Sequence, residues 1–211
     1  MKYKWEFPRQ FLLLLFLGGL MLALSFYFDE TMRWWIARHQ NASAKIFMRN
    51  VSRFGDWPEH AVLGLALLAI AYWRRNKKWV RIFLAMLVAL ALAGTAARVI
   101  KIGAGRARPS VQTETAWNGP KLSARYNAFP SGHTAGSTAF FVTLAFVSWR
   151  IGVGFLLVPL LIAFSRMYVA AHYLSDVVCA ALLGILVAYC VARWARLGSA
   201  RGSRAGFGGP P

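Results

Sequence analysis

The apolar residues of this chain gather into long runs, and its charges into short clumps between them. A run of about 20 apolar residues matches the hydrocarbon thickness of a bilayer. Six candidate spans follow: Phe11 to Phe28, about His60 to Trp73, about Val80 to Ile100, His133 to about Trp149, Ile151 to about Ser165, and about His172 to Trp194. Several are short, so their ends must reach into polar flanks. Each is predicted helical, because lipid offers no water to unpaired backbone groups. The expectation is an all-α polytopic membrane protein with six transmembrane helices. Residues 1–197 are read as one domain, and 198–211, rich in Gly, Ser, Arg and Pro, as a disordered tail.

Composition agrees. The chain is 58% hydrophobic and 15% charged, with only seven acidic residues among 211. Soluble domains carry about 25% charged residues. The net charge of +18 is therefore read as membrane anchoring, and no nucleic-acid partner is expected. Cys179 and Cys190 lie about 16 Å apart on one helix, whereas a disulfide needs Cα atoms within about 7 Å. They are read as small apolar filler.

Charge also gives an orientation. The link Arg74-Arg75-Asn76-Lys77-Lys78, with Lys2, Lys4, Arg9, Arg150, Arg193 and Arg196, places both termini on the cytoplasmic side of a cell (inner) membrane. The links 29–59, 101–130 and 166–171 then face outward. The first run, ending near Ala23-Leu24-Ser25, resembles a signal peptide but is long for one, and an uncleaved first helix is expected. The 29–59 link, with Trp34, Trp35, Phe47 and Trp57, predicts an interfacial amphipathic helix. The 110–129 link reads as a lid or as a passive loop.

Three fragments carry chemistry, and all three fall on the outward side. The first is Lys101-x6-Arg108-Pro109. Gly103 and Gly105 loosen the backbone and Pro109 forbids a continued helix, so both cations can turn toward one site. Arg offers a planar fork and Lys a point charge to oxyanions. The second is Pro130-Ser131-Gly132-His133, which opens a span. A helix N-terminus suits an anion, Gly132 admits close approach, and Ser131 can cap the helix or bond an oxygen. His133 could reach a leaving oxygen with a proton. The third is Ser165-Arg166-x5-His172-x3-Asp176. His172 and Asp176, four apart, are expected on one helix face. A carboxylate on one ring nitrogen would leave the other free as nucleophile or base.

Other polar residues are less pointed. Arg98 is read as a snorkelling anchor or a partner of Lys101. His39 and His60 are expected at the surface. Thr134, Ser137 and Thr138 form a stripe that faces the site or packs helices.

At every defining position these fragments resemble the tripartite motif of the type 2 phosphatidic acid phosphatase (PAP2) superfamily, which includes membrane lipid phosphatases and soluble vanadium haloperoxidases. The likeness spans Lys101 to Asp176. It implies a helical core like that of the superfamily. It implies that His172 attacks phosphorus, that Asp176 orients it, and that His133 protonates the leaving alcohol and then activates water. It implies that Lys101, Arg108, Ser131, Gly132 and Arg166 hold the phosphate, with no metal or other cofactor. The expected partners are a phosphorylated lipid and the bilayer, with no obligatory protein partner evident. Two alternatives stand: a lipid-to-lipid phosphotransferase with the same site, and a non-enzymatic anion carrier.

Overall fold

The computed structural model describes residues 9–111 and 113–205. The chain order is α1 (Arg9–Tyr27), α2 (Asp29–His39), α3 (Ala42–Phe54), α4 (Trp57–Trp73), α5 (Lys77–Ala104), α6 (Gly132–Val147), α7 (Trp149–Gly152), α8 (Leu157–Tyr168) and α9 (Leu174–Ala205). Among the described residues the only ladder-type pairing is an isolated antiparallel bridge, Arg106 to Trp117. Starts follow capping chemistry. Asn41, Asp56, Asn76 and Ser131 accept from the first turns of α3, α4, α5 and α6.

The bundle is built inside out relative to a soluble protein. Leu14, Phe16 and Leu160 are each about two-thirds exposed, which a bilayer tolerates and water does not. One part of the core is made of small residues, beside a second that holds Met86, Leu90 and Phe140. Ala85, Ala89, Ala93 and Ala97, four apart on α5, meet Ala135 and Ala139 of α6 and Ala180 of α9. A Cβ on Gly184 would stand 2.8 Å from the Ala135 carbonyl oxygen, so α6 and α9 touch backbone to backbone. Close approach through small residues is how helices associate where lipid removes the hydrophobic drive. The stripe Thr134, Ser137 and Thr138 is buried in this packing. Ser137 donates to the His133 carbonyl at 2.8 Å.

The expected spans all appear as helices, with one correction to the count. Three segments, Lys77–Ala104, Trp149–Tyr168 and Leu174–Ala195, are long and apolar enough to cross a membrane. A fourth arises if Leu12–Tyr27 and Asp29–His39, bent by 57°, count as one. α4 and α6, at 17 and 16 residues, are shorter; their polar capped starts take length from the apolar run. The 29–59 link forms two helices rather than one, because Gln40 is extended between them.

Two further expectations are corrected. His60 is not at the surface: it is 4% exposed, edge-on to Phe140 and Phe141, with Nδ1 3.1 Å from the Asp56 carbonyl. Its ring serves as a core aromatic whose polar end is satisfied locally. α9 continues through Ala205, so residues 198–205 of the expected disordered tail are helical. The rest of that tail, 206–211, and Lys2 and Lys4 of the orientation count lie outside the described residues. Cys179 and Cys190 are both free.

Candidate active site

Four helix ends meet at one end of the bundle: the C-termini of α5 and α8 and the N-termini of α6 and α9. α5 stops because Gly105 takes a left-handed conformation, φ 55°. A Cβ there would fall 1.6 Å from the Gly119 carbonyl oxygen, so the position demands glycine. The 105–130 link is then laid back along the helix end. Asn118 N donates to Gly105 O, Lys121 N to Ile102 O, Arg108 N to Arg125 O, and Ala128 N to Arg106 O, all at 3.0 to 3.1 Å. Phe26, Trp117 and Phe129 pack as a ring cluster that fastens the link to α1. Ser131 N donates to the Asp176 carbonyl at 3.1 Å, tying the start of α6 to that of α9.

His172 is 3% exposed and precedes α9. This corrects the expectation that it shares a helix face with Asp176: Asp176 lies in the first turn of α9 and His172 in the turn before it. They still meet, with Nδ1 3.5 Å from Asp176 Oδ2. The shorter contact of Nδ1 is to the Ala128 carbonyl, at 2.7 Å. A carbonyl can only accept, so Nδ1 carries the proton and Nε2 keeps its lone pair. Burial holds the His172 ring well below the ordinary histidine range, at about 4; Asp176 draws it up, while Lys101 and Arg166 press it down.

Four cations come near this ring, and they differ in kind. Arg106 is charge-paired: it bonds Asp176 at 2.5 Å and Asp29 at 2.6 Å. Lys101 and Arg108 make no side-chain hydrogen bond or ion pair among the described residues. The Nε atoms of Arg106, Arg108 and Arg166 are all buried without a partner, so what sets Arg106 apart is its two carboxylates. Arg166 Nη1 donates to Ser52 of α3, and no carboxylate pairs with it among the described residues. Burial also pushes the Arg108 guanidinium below its usual range, with Asp176 opposing. Half-buried cations without a counter-charge are costly unless an anion is to join them.

The start of α6 completes the rim. Lys101 Nζ lies 3.9 Å from where a Gly132 Cβ would stand, so the ammonium sits against the start of α6. Ser131 is fully buried, and its Oγ accepts from the Thr134 hydroxyl at 3.1 Å. His133 is partly exposed, with Nε2 3.6 Å from Asp56 Oδ1. His172, Arg166 and Lys101 are all near enough to act on it electrostatically. Beside His133 a cavity of about 390 Å³ descends along Ala91, Gly94, Thr95 and Val99 of α5, with Arg98 in its lining. All eight residues singled out from the sequence thus come to one end of the bundle. Sequence reasoning missed Asp29, Ser52, Asp56, Arg106 and Ala128. Only Asp29 and Asp56 left a trace, as carboxylates beside apolar runs where an acid needs a partner.

Residues 82–198 match the PAP2 superfamily. The chain belongs to that superfamily. Its fold is that of solved PAP2 proteins. A phosphatidylglycerolphosphate phosphatase from Bacillus subtilis superposes with a TM-score of 0.68 at 18% identity, covering 87% of this chain and 94% of that one. LpxE from Aquifex aeolicus superposes with a TM-score of 0.55 at 20% identity, covering 78% and 94%. By sequence the chain is similar to a lipid A 1-phosphatase of Rhizobium etli, 33% identical over 97 residues. That stretch is 43% of this chain and 40% of the relative. The PAP2 match covers every fragment of the site. Among the described residues no cluster of three or more His, Cys, Asp or Glu stands as a metal site.

Proposed function

We propose that this PAP2 protein removes a phosphate from a lipid headgroup through a phosphohistidine on His172. The observation that carries the reading is a nucleophile with its other nitrogen tied, set among Lys101, Arg108 and Arg166, which have no anionic partner among the described residues. The cations hold the equatorial oxygens as charge develops on them. The Nε2 lone pair of His172 attacks phosphorus, and the bond from phosphorus to the lipid oxygen breaks. His133 gives its proton to that oxygen. Water then attacks phosphorus while His133 takes its proton, the P–N bond breaks with its electron pair returning to Nε2 of His172, and inorganic phosphate leaves. Asp176 steadies the charge that forms on the His172 ring. Ser131 and Gly132 present the start of α6 to the anion. The side chains supply the positive charge, and no metal is required.

The cavity beside His133 supports a lipid as substrate. The leaving group sits where His133 protonates it, and the apolar groove along α5 starts there. Phosphatidate, phosphatidylglycerophosphate, a polyprenyl pyrophosphate and a lipid A phosphate all present phosphate at this depth. The solved relative and the Rhizobium relative keep the second and fourth at the front. The basic Arg74 to Lys78 link supports a cytoplasmic position for both termini and an outward-facing site. A panel of these four lipids, assayed for phosphate release with and without a chelator, tests the reading. Release from at least one, unaffected by chelation, is expected. Loss of one lipid's phosphate to a second lipid without free phosphate would make the protein a transferase.

A further inference from the structure

Arg106 stands two residues from Arg108 but in opposite circumstances. It is 5% exposed, and its guanidinium lies between two carboxylates. Nη1 donates to Asp176 Oδ1 at 2.5 Å and to the Ser175 hydroxyl at 2.7 Å, and Nη2 donates to Asp29 Oδ2 at 2.6 Å. Asp29, at the start of α2, also accepts from Ser175 N at 2.8 Å and Ser175 Oγ at 2.6 Å. The rings of Tyr173 and Trp117 cover the guanidinium at 4.3 and 4.9 Å.

We propose that Arg106, held in place by Asp29, is a positioning residue for the His172–Asp176 pair. Both contacts of the His172 Nδ1 trace back to it. Through its side chain it occupies Asp176 Oδ1, which leaves Oδ2 for Tyr173 N at 2.8 Å and for the imidazole at 3.5 Å. Through its main chain it accepts from Ala128 N at 3.0 Å, and Ala128 presents its own carbonyl to Nδ1. A free carboxylate at Asp176 could turn about its last bond and draw Lys101 or Arg108 out of the phosphate cluster. Nη1 on Oδ1, with Tyr173 N on Oδ2, holds the carboxylate from both sides, and Nη2 on Asp29 anchors the guanidinium's direction. Lysine, a point charge, lacks the planar pair of Nη atoms that here reach Asp176 and Asp29 separately.

The inference rests on the phosphatase reading, and the test separates the two. Arg106→Lys, Arg106→Gln and Asp29→Asn are purified in detergent beside the parent protein. Two readouts are taken: kcat and KM for phosphate release, and the NMR signal of the hydrogen-bonded Nδ1 proton, assigned by its absence in His172→Ala. The expected result is a visible Nδ1 proton in the parent that is lost in both Arg106 variants. With it kcat falls at least about tenfold, the scale on which partners of active-site ligands act, at nearly constant KM. Asp29→Asn should show the same pattern in weaker form, and it decides the matter should the Arg106 variants fail to fold. Folded variants that keep the proton signal, or that lose it with kcat intact, would overturn the assignment. A parent protein that releases no phosphate defeats the phosphatase reading, while the proton signal still decides whether Arg106 places the ring.

Discussion

The carbonyl of Ala128 holds Nδ1 of His172 at 2.7 Å, across 44 residues of chain. A main-chain acceptor from a stitched link therefore fixes which ring nitrogen is free. The side chain at 128 has no part in this, which is why a motif of side chains passes it over.

His172→Ala should abolish phosphate release by more than about 10³-fold, because no second nucleophile stands ready. Thermal unfolding of the purified variant should change little beyond the loss of one buried ring. Turnover at the parental rate would remove His172 from the chemistry.

His133→Ala should cost about 10²–10⁴-fold on a lipid alkoxide leaving group, the usual worth of a general acid. The loss should shrink on an aryl phosphate, whose leaving oxygen needs no proton. Equal losses on both esters would assign His133 another role.

Acid should silence the enzyme late. The His172 ring, held by burial at about 4, stays neutral and nucleophilic above that pH and gains a proton as pH falls through it. The acid limb of kcat/KM, after correction for the lipid's own titration, should therefore lie near 4 and not near the ordinary histidine value of about 6.5. A limb at the ordinary value would contradict the buried setting.

Gly105→Ala should be costly away from the chemistry. It places a methyl group into the Gly119 carbonyl and asks alanine for φ 55°. A loss of more than about 2 kcal/mol in detergent unfolding is expected, together with reduced turnover, since a disfavoured φ and a clash combine. Gly103→Ala, where an added Cβ meets open space, is the control and should be nearly silent.

Lys101 and Arg108, without anionic partners among the described residues, predict that inorganic phosphate raises the melting temperature. At a hundred times its Kd the gain is about 2.7 kcal/mol. Arg108→Gln should reduce this shift while leaving the phosphate-free melting temperature unchanged or higher, because a half-buried charge without a carboxylate partner is removed.

The apolar runs made the helices legible in advance, and the three fragments named the residues that converge. Pairwise structure was not legible in the same way. Lys101, Arg106 and Arg108 look alike in sequence, and which of them Asp29 and Asp176 neutralise depends on how α2 and α9 come together in space. His60 misled because a lone histidine at the edge of an apolar run looks like an interfacial residue. Only the placement of Phe140 and Phe141 turns it inward. The shared helix face assumed for His172 and Asp176 failed because α9 starts at Leu174, yet the turn before it brings the two side chains together anyway.

The neutralisation of Arg106 and the bareness of its neighbours have a kinetic side. Side chains that welcome any oxyanion do not distinguish the headgroup from the inorganic phosphate left behind once the lipid has departed. Phosphate set free by the proposed reaction should therefore contend with fresh lipid for the same three cations, so that a finished turnover slows the next by competitive inhibition.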